Sequence, residues 1–321
     1  MQPPGGSRVY SPYVDVTLAA PFQLATVADD GGARSLTLAF VTADAGGCQP
    51  AWGGQTPILA APVVQAASRL RAAGVALRIS FGGARGQELA AACGGAGAGA
   101  IDRLASAYAS VLDPYHAVAA DFDLEGTALL HPATATVALR AAAIARLQAQ
   151  DPRVAVTVSL PVSPGGLSPA ALAAVRAMLA AGVRPRSVNL LAMDYGAAAD
   201  GRDMGAETIL ALRAAHRQLG QLAAALSPWS ALGVTVMVGV NDISGEVLTL
   251  NDARAVATFA TRHGLGLTSI WSLARDNPCP GSGAAAEPTC SGVVEPPYAF
   301  SRAFGANSKT GVPERLAVDT S

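Results

Sequence analysis

The chain has 321 residues, 51% of them hydrophobic and only 14% charged, with 22 Lys and Arg against 23 Asp and Glu. So many apolar residues and so few charges exclude a disordered chain, and a net charge of −1 argues against nucleic acid or an anionic membrane as partner. Arg or Asp interrupts every Ala/Leu/Val run before roughly 18 residues, so no segment is expected to span a bilayer. Strand-like and helix-like segments then alternate from end to end. The predicted strands are Val9–Leu18, Ser35–Asp44, Val75–Gly83, Ala117–Glu125, Val154–Val162, Ser187–Tyr195, Gly233–Asp242 and Leu267–Arg275. Amphipathic segments between them predict helices at Val63–Ala73, Ile101–Leu112, Thr134–Ala149, Pro169–Ala181, Ala206–Ala224 and Leu250–His263, with a last short one near Tyr298–Phe304. Gly74, Gly182 and Gly264 each stop a helix ahead of a strand.

This alternation, without a break in composition, predicts an α/β chain folded as a single-domain (β/α)8 TIM barrel over residues 9–307. Residues 1–8 form an N-terminal extension and 308–321 a polar C-terminal tail. An open doubly wound sheet would need a glycine-rich loop after the first strand, where the chain has Leu18-Ala19-Ala20-Pro21-Phe22. The short stretch between Asp242 and Leu267 is mostly helix and leaves no room for a sizeable α+β insertion.

The four cysteines allow three pairings. The nearest-neighbour set, Cys48–Cys93 and Cys279–Cys290, is favoured. The second pair would close a Pro/Gly/Ser-rich loop that packing alone would not order, and the first would tie two loops at one end of the fold. Four reduced thiols in a cytosolic protein are the other reading. No Cys-x-x-Cys is present, and His116, His131, His216 and His263 are scattered, so no metal and no cofactor is expected. Met1-Gln2-Pro3-Pro4-Gly5-Gly6 has neither the basic nor the apolar part of a signal peptide. The chain therefore reads as a mature or recombinant form of a secreted protein, its signal peptide absent.

The most informative segment is Ala119-Ala120-Asp121-Phe122-Asp123-Leu124-Glu125-Gly126. Strand alternation puts Asp121, Asp123 and Glu125 on one face and Phe122 and Leu124 on the other. The apolar pair suits the helix-covered outside, so the acids point into the barrel, where packing alone would place Val, Ile or Leu. Burying three carboxylates is costly unless they share protons or serve a ligand. Same-face residues lie about 6.6–7 Å apart, near enough for rotated carboxyls to share a proton. Like-charge repulsion is then expected to hold Glu125 partly protonated near neutral pH, as a general acid requires. An inward ion-pair or metal cluster is the other reading, but no Lys, Arg or His accompanies the acids on this strand.

Asp121-Phe122-Asp123-Leu124-Glu125 resembles the Asp-x-Asp-x-Glu signature of glycoside hydrolase family 18, the chitinases and their relatives. Ser80-Phe81-Gly82-Gly83 resembles the family's Ser-x-Gly-Gly motif, and Met193-Asp194-Tyr195 its Met-Asp-Tyr motif. Trp271 lies on the predicted eighth strand, where the family has a tryptophan beneath the sugar. The segments Met237–Asp242 and Trp271–Asn277 look like a bacterial secreted branch. One departure is Val118, where the family's fuller signature carries another Asp, which puts the hydrogen bonding beneath the site in doubt.

A retaining glycosidase of the ordinary kind needs a second carboxylate about 5–5.5 Å from the acid, whereas this family uses the substrate's own N-acetyl group. The resemblance implies that Glu125 protonates the leaving oxygen and Asp123 orients the acetamido N–H, while Asp121 shares Asp123's proton. It implies that Tyr195 donates to the acetamido carbonyl, Asp194 binds the sugar and Trp271 stacks beneath it. Met193, Met237 and Asn241 are expected to line the pocket. Trp52, in a glycine-rich loop, caps a further subsite or plugs the loop. The implied activity is endo-cleavage of β-1,4 bonds in chitin or chito-oligosaccharides by a monomer, in a shallow, open cleft. An endo-β-N-acetylglucosaminidase acting on N-glycans and a non-catalytic chitin-binding barrel are the alternatives.

Overall fold

A computed structural model of the chain describes residues 8–18, 33–243, 245–280 and 287–305. The predicted tail (308–321) and all of the predicted N-terminal extension except Arg8 lie outside the described residues. Arg8 itself belongs to the barrel: it is buried, and its guanidinium donates to the Thr261 hydroxyl and to the carbonyls of Ala257 and Phe304.

Eight parallel strands close the barrel. The first, β1, is two short pieces, Val9–Tyr10 and Tyr13–Asp15. The others are β2 (Ser35–Ala43), β3 (Ala76–Gly82), β4 (Ala119–Asp123), β5 (Ala155–Ser163), β6 (Pro185–Ala192), β7 (Leu232–Met237) and β8 (Leu267–Trp271). Neighbours in sequence pair in register, and the split β1 closes the ring: Val9–Tyr10 pairs with β8 and Tyr13–Asp15 with β2. The strands are mostly buried on both faces, as a helix-wrapped parallel sheet requires, with β-branched residues commonest in β5 and β7; β4, Ala-Ala-Asp-Phe-Asp, is the exception in carrying two carboxylates.

The helices that wrap it are α1 (Ala61–Ala72), α2 (Ala98–Leu112), α3 (Thr134–Gln150), α4 (Pro169–Ala180), α5 (Met204–Leu222), α6 (Leu250–His263) and α7 (Ala299–Gly305). Local chemistry sets several ends. Ser168 and Asp203 cap α4 and α5 through their side chains, and Thr249 with Asp252 forms a capping box on α6. Gly264 ends α6 in the left-handed region at φ 72°. Phe122 points outward as expected, stacked on Phe81 at 5.4 Å and edge-on to Tyr108 of α2 at 5.0 Å.

Both expected disulfides are present, Cys48–Cys93 joining the rim loops after β2 and β3, and Cys279–Cys290 closing a loop after β8. Between β7 and β8 stand a two-residue hairpin, Gly239–Val240 with Val247–Leu248, and α6. Among the described residues of this stretch there is no α+β unit.

Candidate active site

β4 turns Asp121 and Asp123 into the barrel, and Glu125 follows as the extended residue ahead of a short helix, Gly126–Leu130. The three acids differ in what surrounds them. Asp121 is fully buried and accepts three hydroxyl bonds, from Tyr13 (2.8 Å), Ser80 (2.6 Å) and Ser159 (2.6 Å). Ser159 in turn is held by Asn189 at 2.9 Å, and Asn189 by Thr235 at 2.8 Å, so one polar layer crosses β1, β3, β4, β5, β6 and β7. Burial raises Asp121's proton affinity, while those hydroxyls and buried Arg78 pull it back down.

Asp123 is 2% exposed, and its Oδ1 meets no hydrogen-bond partner. Burial, and then the charges of Glu125 and Asp121, hold its carboxyl well above the usual carboxylate range. Gly82 makes room for its backbone: at φ 103°, a Cβ there would stand 2.1 Å from the Asp123 carbonyl oxygen. Only glycine fits, which accounts for this part of the Ser-x-Gly-Gly motif.

Glu125 is pushed from its ordinary 4.5 up to about 7. Burial is the larger cause and the charges of Asp194 and Asp121 follow, so repulsion is secondary to desolvation, the reverse of the sequence expectation. The side chain divides two cavities. One, of about 640 Å3, is lined by Asp123, Met193, Asp194, Met237 and Trp271. The other, of about 420 Å3, lies between the β3 rim loop and the Gly126–Leu130 helix; Ala84, Arg85 and Glu125 line both. Trp271, half-buried, forms an aromatic floor with Phe40 (5.3 Å, stacked) and Tyr13 (6.0 Å, edge-on).

The structure thus brings together Asp121, Asp123, Glu125, Asp194, Met193, Met237 and Trp271. It separates three others. Tyr195 turns away because the chain bends at Asp194 (φ 51°), and its hydroxyl meets Thr208 of α5 at 3.3 Å instead of the cleft. Asn241 is buried and spends its amide on the carbonyls of Met237 and Gly239. Trp52 is fully buried, donating to the Tyr115 hydroxyl at 3.2 Å: it is the loop plug, not a sugar platform. Val118 is 39% exposed and precedes β4, at the opposite end of that strand from Glu125, so it leaves the bonding around Asp121 intact.

Sequence reasoning missed Tyr13, Phe40 and Arg275, which line the large cavity, and Glu246, which braces its rim. A signal existed for the first. Tyr13 and Asp15 alternate on β1 as the acids do on β4, placing two polar groups on one face. Phe40 and Glu246 carry no comparable sequence signal.

A closed barrel with a protonatable carboxyl at its rim, a column of buried acids beneath it and an aromatic floor is the arrangement expected of a barrel glycoside hydrolase. No family model matches the chain, but individual relatives do. The probable bifunctional chitinase/lysozyme of Escherichia coli is 34% identical over 320 residues, covering 94% of this chain and 35% of its own length. Endochitinase 11 of Metarhizium anisopliae is 34% identical over 287 residues, covering 84% of this chain and 53% of its own. The chain therefore spans about a third and about half of these curated relatives. The catalytic domain of a hyperthermophilic chitinase from Pyrococcus furiosus is 31% identical and superposes with a TM-score of 0.80, over 94% of this chain and 95% of that one. The chain belongs to glycoside hydrolase family 18, the chitinase family.

Proposed function

We propose that the protein is an endo-acting chitinase that hydrolyses β-1,4 bonds between N-acetylglucosamine units with retention. The observation that carries this reading is Asp123: a buried carboxyl oxygen with no partner, next to Glu125 and facing the cleft above Trp271. An acetamido N–H is the donor that oxygen lacks. Catalytic-site mutants of a Pyrococcus furiosus chitinase domain, 30% identical to this chain, have been crystallised with chito-oligosaccharides.

In this mechanism a sugar ring stacks on Trp271, flanked by Met193 and Met237 and held by Asp194. Glu125 carries a proton below about pH 7 and gives it to the glycosidic oxygen. The C–O bond breaks as the acetamido oxygen bonds to the anomeric carbon, forming an oxazolinium ion. Asp123 accepts the acetamido N–H and offsets its positive charge, passing its own proton toward Asp121. Glu125, now a carboxylate, takes a proton from water as the water opens the ring, and two inversions give net retention. A carboxylate nucleophile is disfavoured because Asp123 shares Glu125's own chain segment and face. The leaving chain occupies the smaller cavity beyond Glu125, and the absence of an α+β wall between β7 and β8 supports cleavage in mid-chain. The disulfides suit a secreted enzyme, and because every catalytic group comes from one chain, a monomer suffices.

The test is hydrolysis of chromogenic chitotriose and of soluble chitin by the wild type and Glu125→Gln. A loss of at least about 100-fold is expected for a general acid, with the β-anomer as first product by NMR and an early fall in polymer viscosity. A Gln variant as fast as the wild type would refute the assignment. N-glycan release without chito-oligosaccharide cleavage would identify an endo-β-N-acetylglucosaminidase instead.

A further inference from the structure

We infer that Glu246, on the rim loop after β7, is a positioning residue for the acid–base centre: it clasps the loop after β6 and so holds Asp194 in the cleft beside Glu125. This rests on the reading of Glu125 as the general acid. Glu246 is fully buried, and its two carboxyl oxygens accept successive backbone amides of the neighbouring loop, Oε2 from Tyr195 at 3.0 Å and Oε1 from Gly196 at 2.8 Å. The clasp is reciprocal. Asp194 Oδ1 accepts the Ile243 amide of the Glu246 loop at 3.0 Å, and the Gly201 amide donates to the Gly245 carbonyl at 2.9 Å. The Glu246 carbonyl is itself anchored by the Asn241 amide at 2.9 Å.

A buried carboxylate is a costly way to tie two loops unless a fixed geometry is needed. Asp194 needs one. It sits at φ 51°, a left-handed conformation that a non-glycine residue keeps only where its surroundings over-determine it. The amides that Glu246 holds are the two that follow Asp194 in sequence, so the clasp fixes the bend that turns Asp194 into the cleft and Tyr195 away. Asp194 is, after burial, the strongest influence keeping the proton on Glu125. The charged groups around this chain of contacts are Asp121 and Asp123 on β4, Asp200 beside Glu246, and Asp242, Arg275 and Arg85 at the cleft. Among them, Glu246 alone bonds the backbone that carries Asp194.

The test compares pH–rate profiles of kcat/KM on chromogenic chitotriose for wild type, Glu246→Ala, Glu246→Gln, Asp194→Asn and the Ala/Asn double variant. Glu246→Ala is expected to lose roughly tenfold in kcat/KM at neutral pH through misplacement of a cleft group. Its alkaline limb should move to lower pH by roughly half a pH unit, as Asp194's charge withdraws from Glu125. Asp194→Asn should move the limb the same way, and the double variant should move it no further than Asp194→Asn alone. Glu246→Gln keeps one acceptor oxygen and should fall between wild type and Ala. An alkaline limb in Glu246→Ala that coincides with wild type, or a double variant whose displacement is the sum of the two, would overturn the inference. If Glu246→Ala melts below the assay temperature, the Gln variant decides on the same criterion. Carbon-13 carboxyl NMR of Glu125 reads the same displacement without substrate. An inactive wild type would thus sink the chitinase reading while the clasp is still judged by the titration.

Discussion

Glu125→Gln should stabilise the protein at neutral and alkaline pH and leave it unchanged in acid. The folded protein raises the Glu125 carboxyl from 4.5 to about 7, so it disfavours the charged form. That difference of roughly 2.5 pH units corresponds to about 3 kcal/mol at most, at about 1.36 kcal/mol per unit. The sign follows from the raised value. Protonated Glu125 carries no such cost below the unfolded value of 4.5, and stability is lost as pH rises through about 7. Glutamine is neutral throughout and keeps nearly the same shape. Melting wild type and variant by calorimetry at pH 4 and pH 8 should therefore give coincident Tm values at the acid end. At the alkaline end Tm should rise by at most roughly 6–12 °C for the variant, given about 2–4 °C per kcal/mol in a chain of this size class. The rise should accompany near-complete loss of activity, the pattern expected of a strained catalytic group. Equal Tm values at pH 8, or a gain of the same size at both pH values, would refute burial of an ionisable Glu125 as its cause.

Trp271→Ala removes the half-buried platform and its stack with Phe40. KM for chitotetraose should rise roughly tenfold, as loss of an aromatic contact predicts, measured by initial rates. Tyr195→Phe removes a hydroxyl that touches Thr208 and not the cleft. Its kcat/KM should stay within about twofold of wild type with at most about 1 kcal/mol lost in stability, and a fall of an order of magnitude would put the hydroxyl back at the sugar. Replacing Cys48 and Cys93 by Ser opens a cross-link of 45 residues. By loop-closure entropy this should cost about 4 kcal/mol in urea unfolding, leaving the pH profile unchanged because neither cysteine lines either cavity beside Glu125.

The barrel was legible because its signals are local. Most strands are short, largely apolar runs, and the glycines that stop helices, such as Gly264, mark the return to the sheet. The acid column was legible for the same reason, since three carboxylates at alternate positions of a buried strand, with no Lys, Arg or His beside them, point to a functional cluster. What escaped depends on the rim, where alternation ends. Tyr195 would have faced the cleft had β6 continued, but the left-handed turn at Asp194 breaks the parity. Asn241, at the end of a predicted strand, looked like a lining group, and Trp52 read as a subsite cap or a loop plug; the carbonyls of Met237 and Gly239 take the Asn241 side chain, and packing against Tyr115 makes Trp52 the plug. Glu246 is two loops in contact, which no single segment encodes.

The three acids also explain one another. Asp121 has three hydroxyl donors, and Asp123 directly above it has an oxygen with no donor. Donors favour the charged form and their absence favours the neutral one, so the lower pair carries its proton on Asp123. In the proposed mechanism that proton lies where the acetamido N–H would arrive, so binding substrate would require Asp123 to release it. The polar layer that stabilises Asp121 as an anion therefore has a cost in packing, with Ser80, Ser159, Asn189 and Thr235 standing where aliphatic side chains would fill a barrel better. Its return is a fixed order of proton affinities up the strand. In the proposed mechanism Asp121 anchors the charge at the base, Asp123 would exchange its proton for the substrate's amide, and Glu125 would keep the proton that the leaving oxygen takes.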